Sequence, residues 1–333
     1  MKKLTTLIIL LMLQFRIVNA QMPDVYKEVD QILCLVDDIE NVIQGWERFG
    51  FTSIGPIDEI IFKNNMYRND TTSFSAKIAL AKLGEANITW LQPGNGNSYF
   101  TDYLKLHGPS AFSLMHRFSN KDAYEAELER ITSKEIEIVQ QGTIKLDNIE
   151  LQYTLFDTYG AGDYVLGLLH APDIHSNLKA QAPFDGRFSQ YAFATNSPEE
   201  VSEYWQQIGI PAMNVTHTDV WEKRYYGKAH DFDMKLGWQR HGNIVYEWCI
   251  PLQAPTVYTD HIEKRGEGIQ HIGLSVPDID KAIRHLTSRG FAVAQSGGWG
   301  EKGQPGSGRF AYMDTDRFGG LMVELLWSHR SDN

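Results

Sequence analysis

Cysteine and basic charge are scarce in this sequence, and each scarcity excludes a class of protein. Only Cys34 and Cys249 occur in 333 residues, so there is neither a disulfide framework nor a cluster of thiolate metal ligands. We expect both to be buried strand residues that act as small hydrophobic side chains. The chain has 31 Lys and Arg against 42 Asp and Glu, a formal net charge of −11. Nucleic acids and anionic membranes are therefore disfavoured as main partners, because both require a basic surface.

Long apolar runs are also missing after the N-terminus. The chain begins with two lysines, a short apolar segment (LTTLIILLML) and the small residues VNA just before Gln21. This order is typical of a secretory signal peptide, which is too short for a stable membrane span. We therefore assign residues 1–20 to a signal peptide and expect a periplasmic or secreted protein that leaves the membrane once the peptide is cleaved. The alternative is an uncleaved N-terminal anchor.

Internal repetition is what the sequence does contain. QHIGLSVPDIDKAIRHLTSRGF (residues 270–291) matches DQILCLVDDIENVIQGWERFGF (residues 30–51). Each segment predicts a short strand, an acidic helix cap, a helix with one apolar face and a glycine at the helix end. A third copy occupies residues 189–210, and a fourth, weaker copy occupies residues 111–131. The sequence therefore contains four copies of one unit.

Residues rich in β-branched and aromatic types follow each helix, broken by turn formers. Residues 76–93 and 232–251 each predict two strands joined by a turn, so the unit is a strand, a helix and about three strands. In the third copy, Ser197 and Glu200 predict a capping box around a proline at the first helical position.

A longer repeat sets the domain boundaries. Residues 87–114 match residues 245–272, which indicates a duplicated domain. The seam, residues 174–186, contains proline and asparagine and has no hydrophobic period, so we assign it to a linker. The N-terminal domain then covers residues 21–173 and the C-terminal domain residues 187–333.

The opening HIGLSVPDIDKAI…GF and the close LMVELLW resemble the vicinal-oxygen-chelate superfamily of glyoxalases, methylmalonyl-CoA epimerases, extradiol dioxygenases and antibiotic-resistance binding proteins. The resemblance covers nearly all of residues 30–327. It implies an α+β fold of four βαβββ units, paired into two similar domains. Each domain would be a cup-shaped, curved mixed β-sheet with flanking helices, with metal ligands on the first and last strands of each unit.

The resemblance carries the ligand positions onto both halves of the chain. In the C-terminal domain they hold Gln190, Glu247, His271 and Glu324. In the N-terminal domain they hold Gln31, Thr89, Ser113 and Gly167, which we interpret as a degenerate half without a metal. Two carboxylates, an imidazole and an amide oxygen suit one divalent ion, namely Zn, Fe, Mn, Co or Ni. Two carboxylates in one cup repel each other unless an ion or a proton compensates them.

A metal-dependent lyase, isomerase or epimerase is the first function that the resemblance implies. The ligand set looks like that of the animal-type lactoylglutathione lyase, in which a ligand carboxylate moves a proton. By that resemblance Glu324 is the base and Glu247 its partner. Export would separate the chain from glutathione and CoA. We therefore expect a small-molecule substrate that is a free hydroxy-keto compound, a sugar derivative or an aromatic acid.

Two other functions and two further features stay open at this point. Extradiol and hydroxyphenylpyruvate dioxygenases share the two-domain build but use two His and one carboxylate on Fe(II), whereas Gln190 stands where the first His is expected. A binding protein without turnover is the third reading, although the family's resistance proteins usually lack the ligands.

The glycine-rich loop at residues 296–309 is either a hairpin tip or a lid that carries Trp299. A homodimer is compatible with the sequence.

The N-terminal pattern gives the first testable prediction. We expect the mature chain to start near Gln21, because the small residues before it form the cleavage site. Mass spectrometry of the N-terminal peptide from fractionated cells checks this. An intact Met1 terminus in the cytoplasm would contradict it.

Overall fold

The computed structural model describes residues 22–52, 54–146 and 149–329. The assigned signal peptide lies outside these residues. In the part of the chain that is described, no helix is long and apolar enough to cross a membrane.

The first domain is a closed β-barrel with helices packed on its outside. Its strands are β1 (Gln31–Leu35), β2 (Asp58–Tyr67), β3 (Asp70–Leu83), β4 (Ala86–Pro93), β5 (Ser110–Phe118), β6 (Ile138–Leu146), β7 (Ile149–Phe156) and β8 (Val165–His170). Its helices are α1 (Ile39–Phe49), α2 (Tyr99–His107), α3 (Lys121–Thr132) and α4 (Tyr159–Gly162). The strand order is β1-β4-β3-β2-β6-β7-β8-β5, and β1 pairs antiparallel with β5 to close the barrel. The pairing of β2 with β6 joins the two units on the other side.

The second domain repeats this plan but stays open as a half-barrel. Its strands are β9 (Arg187–Ala194), β10 (Asn214–His217), β11 (Val220–Tyr225), β12 (Lys228–Ala229), β13 (Asp233–His241), β14 (Ile244–Gln253), β15 (Gly268–Ser275), β16 (Val293–Trp299), β17 (Gly308–Met313) and β18 (Met322–Ser328). Its helices are α5 (Pro198–Gln206), α6 (Val257–Arg265) and α7 (Ile279–Ser288). The order is β10-β13-β14-β9-β15-β18-β17-β16-β11-β12. The predicted α+β architecture of two similar cup-shaped domains is confirmed.

The open side has a specific cause in the third unit. This unit carries an additional hairpin, β11–β12, which pairs with β16. In the first domain the corresponding strand, β6, pairs with β2 instead. Strands β10 and β11 follow each other in the chain yet lie near opposite ends of the sheet. The two residues between them, 218 and 219, therefore bridge the open side of the cup.

Local capping explains where the helices begin, with one correction. Asp38 and Asp278 each accept a hydrogen bond from the backbone N–H three residues on, at 3.0 and 2.8 Å, as the acidic caps predict. The capping box predicted at Ser197 is wrong, because its side chain makes no cap hydrogen bond. The Ser197 N–H instead donates to the Thr195 hydroxyl at 3.1 Å, and Pro198 at the first helical position sets the entry of α5.

The segment assigned as linker is held against the first domain. Gln181 exchanges backbone hydrogen bonds with the β3–β4 turn, to the carbonyl of Lys82 at 3.0 Å and from the N–H of Gly84 at 2.7 Å. Its side chain also accepts from the N–H of Thr52 at 2.5 Å. This segment has no hydrophobic period because hydrogen bonds to the edge of the barrel, and not a buried apolar face, hold it in place.

The two domains share one hydrophobic core. The largest buried cluster joins Trp46 and Trp90 of the first domain to Trp205 and Trp248 of the second. The Trp46 indole N–H donates to the carbonyl of Phe318, at 3.1 Å, across the two domains. The first domain therefore supports the outer face of the half-barrel.

This shared core makes a stability prediction at Gly45. A Cβ added there would lie 2.1 Å from Cγ of the Phe318 ring, so Gly45→Ala should lower the free energy of unfolding by about 1–3 kcal/mol through overpacking. Gly160→Ala is the matched control, because it is also helical and has nothing within 4 Å of its added Cβ. Thermal unfolding measures both variants. An equal or higher melting temperature for Gly45→Ala would contradict the close packing of the domains.

Candidate metal centre

The structure brings the four predicted ligands of the second domain together. Gln190 lies on β9, Glu247 on β14, His271 on β15 and Glu324 on β18. These four strands are adjacent in the sheet, in the order β14-β9-β15-β18. Gly273 pairs with both Gln190 and Glu324, which sets the outer strands in register around β15. All four of these residues are buried, and the most exposed of them, Gln190, is 5% exposed.

Their polar atoms converge on the two carboxylates. The Gln190 amide nitrogen donates to Oε2 of Glu247 at 2.6 Å and to Oε2 of Glu324 at 3.1 Å. Nε2 of His271 lies 3.2 Å from Oε2 of Glu247 and 3.4 Å from Oε2 of Glu324. Four side chains that are up to 134 positions apart in sequence thus meet at one point inside the cup.

The electrostatics of this point require a positive charge. Burial and the nearby charge of Glu324 raise the pKa of Glu247, while its contacts with His271 act in the opposite direction. Burial disfavours the charged form of His271, but hydrogen bonds and charge from both carboxylates prevail and raise its pKa to about 9. An imidazolium balances one carboxylate only. A divalent cation would balance both, so the donor set fits a metal ion.

A second layer of contacts fixes the imidazole. Nδ1 of His271 lies 2.5 Å from the Gln270 side-chain oxygen, which can only accept, so Nδ1 carries the proton. Nε2 is thereby left to face the carboxylates. The Tyr312 ring packs edge-on against the imidazole, with centroids 4.9 Å apart. Such outer contacts orient a metal-binding histidine and raise its basicity.

Cys249 belongs to this centre, although we expected it to act only as packing. Its sulfur, a carboxylate oxygen of Glu247 and a ring nitrogen of His271 all lie within 4.8 Å of one another. Burial and the charges of Glu247 and Glu324 raise the pKa of its thiol, so the thiol stays protonated beside two carboxylates. The signal for its position was the period of two along β14, which places Cys249 on the face of Glu247.

The equivalent positions of the first domain are occupied by packing. A Cβ on Gly167 would lie 2.0 Å from the Met115 sulfur, so Met115 fills the space that Glu324 takes in the second domain. Thr89 hydrogen-bonds to Gln31, and its hydroxyl lies 3.4 Å from Nε2 of His175. The sequence alone did not indicate this imidazole, because it enters from the segment between the domains.

The two interiors differ in the space that remains. The half-barrel encloses a cavity of about 370 Å³, lined in part by Gln190, Glu247 and Glu324. The space inside the closed barrel is about 60 Å³. Trp299 also lines the larger cavity, at the end of β16, and residues 300–307 form the tip of the β16–β17 hairpin. The loop therefore lies at a hairpin tip, and the two alternatives, a plain hairpin tip or a lid that carries Trp299, both stay open.

The comparisons with known proteins agree with this fold. Residues 189–312 match the family model described as Glyoxalase/Bleomycin resistance protein/Dioxygenase superfamily. The match lies within the second domain, and it confirms the recognition made from the sequence. No curated protein matches the chain.

Many solved structures are similar to the chain, among them these three. A triple mutant of 4-hydroxymandelate synthase from Streptomyces coelicolor has 13% identity and a TM-score of 0.60, over 92% of this chain and 94% of that one. A xylose isomerase-like TIM barrel/4-hydroxyphenylpyruvate dioxygenase fusion protein has 14% identity and a TM-score of 0.52, over 95% of this chain and 50% of that one. A Mn(II)-bound glyoxalase from Novosphingobium aromaticivorans has 10% identity and a TM-score of 0.45, over 92% and 85%. At these identities the first two show the two-domain fold alone.

The second layer around His271 gives a testable prediction. Gln270→Leu removes the acceptor for Nδ1 and should weaken Zn²⁺ binding about 10- to 100-fold, because the imidazole loses its fixed orientation. Gln253→Leu, at a position on β14 whose amide bonds to the Asp231 carbonyl instead, is the control. Competition with a chromophoric chelator measures the affinities. Equal affinities in both variants would contradict a positioning role for Gln270.

Proposed function

We propose that this protein is a metal-dependent enzyme of the lyase or isomerase type that moves a proton on a small hydroxy-keto substrate. The observation that carries the proposal is the convergence of Gln190, Glu247, His271 and Glu324, of which all but His271 line a cavity of about 370 Å³. Pockets of this size are typical of small-molecule sites.

The number of carboxylates favours proton transfer over oxygen chemistry. Non-haem Fe(II) oxygenases typically use two histidines and one carboxylate, which leaves one net positive charge on the centre. Here two carboxylates would balance a divalent ion completely, and Gln190 takes the place of the other imidazole. Such a centre holds an anionic co-substrate less strongly, because less positive charge is left to attract it.

We assign different roles to the two carboxylates: one mainly holds the ion, and the other transfers a proton. A divalent ion bound by these four residues would polarise a substrate oxygen and so ease removal of a proton from the neighbouring carbon. Glu247 is the more tightly engaged carboxylate, with contacts of 2.6 Å to Gln190 and 3.2 Å to His271. The corresponding contacts of Glu324 are longer, at 3.1 and 3.4 Å. Glu324 is therefore freer to turn toward a substrate, and we assign it as the base with Glu247 as its partner.

An oxygen-using enzyme is the second candidate. The fold similarity to a 4-hydroxymandelate synthase and to a fusion protein with a 4-hydroxyphenylpyruvate dioxygenase part supports it. That similarity concerns the fold alone, and one fold of this kind carries many chemistries. We also propose that the chain is exported and acts on a free small molecule, since the N-terminal pattern would separate it from cytosolic glutathione and CoA.

Two substitutions test the proposed roles. Glu324→Gln should keep much of the metal, because an amide oxygen can still bind an ion, but lower turnover about 100- to 10,000-fold, because an amide accepts no proton near neutral pH. His271→Ala should lose both metal and turnover, because it removes a ligand outright. Glu263→Gln, on the exposed side of α6, is the matched control and should change neither. Metal analysis is paired with turnover of candidate hydroxyketones, with and without air.

Each outcome of this assay decides something. Undiminished turnover in Glu324→Gln would remove Glu324 as the base and leave Glu247 as the remaining carboxylate. Turnover that stops without oxygen would contradict the lyase or isomerase proposal and support the dioxygenase. Metal binding without turnover of any candidate would favour a binding protein.

A further inference from the structure

The walls of the cavity are apolar and largely aromatic. They are formed by Met234, Leu236, Trp238, Trp299, Phe310 and Leu326. Three of these residues alternate along β13, as the period of two requires for one inward face. Trp238 and Trp299 are half-buried, so parts of both indoles remain open to the cavity. A flat substrate ring would bury its faces against these walls and gain aromatic contacts.

Charge in the cavity is confined to the metal centre. Among the described residues that line the cavity, Glu247 and Glu324 are charged, and no lysine or arginine is present. An adjoining groove contains Arg187, but it also contains Asp185, and it shares only Ser275 and Ser328 with the cavity. Because two carboxylates would balance a divalent ion, the centre attracts no second anion. A carboxylate on the far end of a substrate would therefore lose its hydration without gaining a partner.

Free hydroxyl groups are found at the mouth of the cavity. Ser275 and Ser328 are the last residues of β15 and β18, and Thr218 lies in the connection that bridges the open side. The deeper hydroxyls of Tyr258 and Tyr312 bond to each other at 2.7 Å. A sugar derivative carries several hydroxyls, each of which needs a partner when buried. The six wall side chains offer them no oxygen acceptor.

We propose that the cavity accepts a neutral aromatic hydroxyketone. Its two neighbouring oxygens point toward the metal centre, where a divalent ion held by the four side chains would attract them, and its ring packs on the wall formed by β13 and Trp299. This class rests on the proposed function of the centre and is narrower than it. It excludes the sugar derivatives and the aromatic acids that the sequence left open.

Calorimetric titration of the full chain loaded with Zn²⁺ tests this class with three α-hydroxyketones. Phenacyl alcohol is neutral and aromatic, its para-carboxylate adds one charge, and dihydroxyacetone has no ring. We expect phenacyl alcohol to bind at least about tenfold more tightly than either of the others, because only it buries a ring without burying a charge. Equal or tighter binding of the para-carboxylate or of dihydroxyacetone overturns the proposal.

A charge placed at the mouth provides a gain-of-function test. Ser328 shares the face of β18 with Glu324 and Leu326, so Ser328→Arg directs a guanidinium toward the cavity. It should tighten binding of the para-carboxylate about tenfold and leave phenacyl alcohol within about twofold. Ser288→Arg adds the same charge at the exposed end of α7. If both arginine variants bind the para-carboxylate more tightly by the same factor, the argument that the cavity lacks a positively charged partner is overturned.

The aromatic wall is tested in the same way. Trp238→Ala should weaken phenacyl alcohol about tenfold and leave dihydroxyacetone unchanged, because only the former uses the ring contact. Trp221→Ala is the control, since this indole packs over Gly298 outside the residues that line the cavity. A loss in Trp221→Ala as large as that in Trp238→Ala would contradict binding on the β13 wall.

Failure of this inference can be told apart from failure of the proposed function, because calorimetry measures binding and not turnover. If phenacyl alcohol binds selectively but is not converted with or without air, the substrate class stands and the proposed reaction fails. If the para-carboxylate is converted and binds as tightly as phenacyl alcohol, the reaction stands and the substrate class fails.

Discussion

The mutual repulsion of two buried carboxylates is the constraint on which this structure depends. Glu247 and Glu324 each place an oxygen within 3.4 Å of the same imidazole nitrogen, and at most 5% of either carboxylate side chain is exposed. Burial and the nearby charge of Glu324 raise the pKa of Glu247, and the low dielectric of the interior strengthens repulsion between the two side chains. The cup must therefore hold a proton on His271 or a cation between the four side chains. The contacts of Gln270 and Tyr312 that orient the His271 imidazole therefore also position the positive charge that stabilises the two carboxylates.

This constraint applies to the second domain, which contains the two carboxylates. The first domain has no carboxylate at the equivalent positions. In the first domain β2 pairs with β6, the barrel closes, and Met115 occupies the place of a ligand. In the second domain the β11–β12 hairpin takes the edge of β16, so the sheet stays open and a cavity remains above the carboxylates. The closed barrel contributes by packing, through a core that runs from Trp46 to Trp205. One domain thus supplies rigidity, and the other supplies the space in which a substrate could meet the charges.

The sequence by itself determined the repeating unit and the residue types at its ligand positions. The spacing of apolar residues after Asp38 and Asp278 specified helices that the structure shows with the same caps, because a cap and an apolar stripe are both local features. The positions of Glu247 and Glu324 came from the resemblance of the closing motifs instead, because β14 and β18 are buried on both faces around them and show no alternation. The same resemblance located the equivalent positions in the two domains. It thereby distinguished the ligand set of the second domain from the degenerate set of the first.

The tertiary structure alone decided what surrounds those ligands. Nothing local indicated that His175 would enter the first barrel, that Tyr258 of α6 would meet Tyr312 of β17, or that β10 and β11 would part to opposite ends of the sheet. Each of these outcomes depends on a choice of pairing partner. A hydrophobic period specifies which face of a strand is buried, but it does not specify which strand lies beside it.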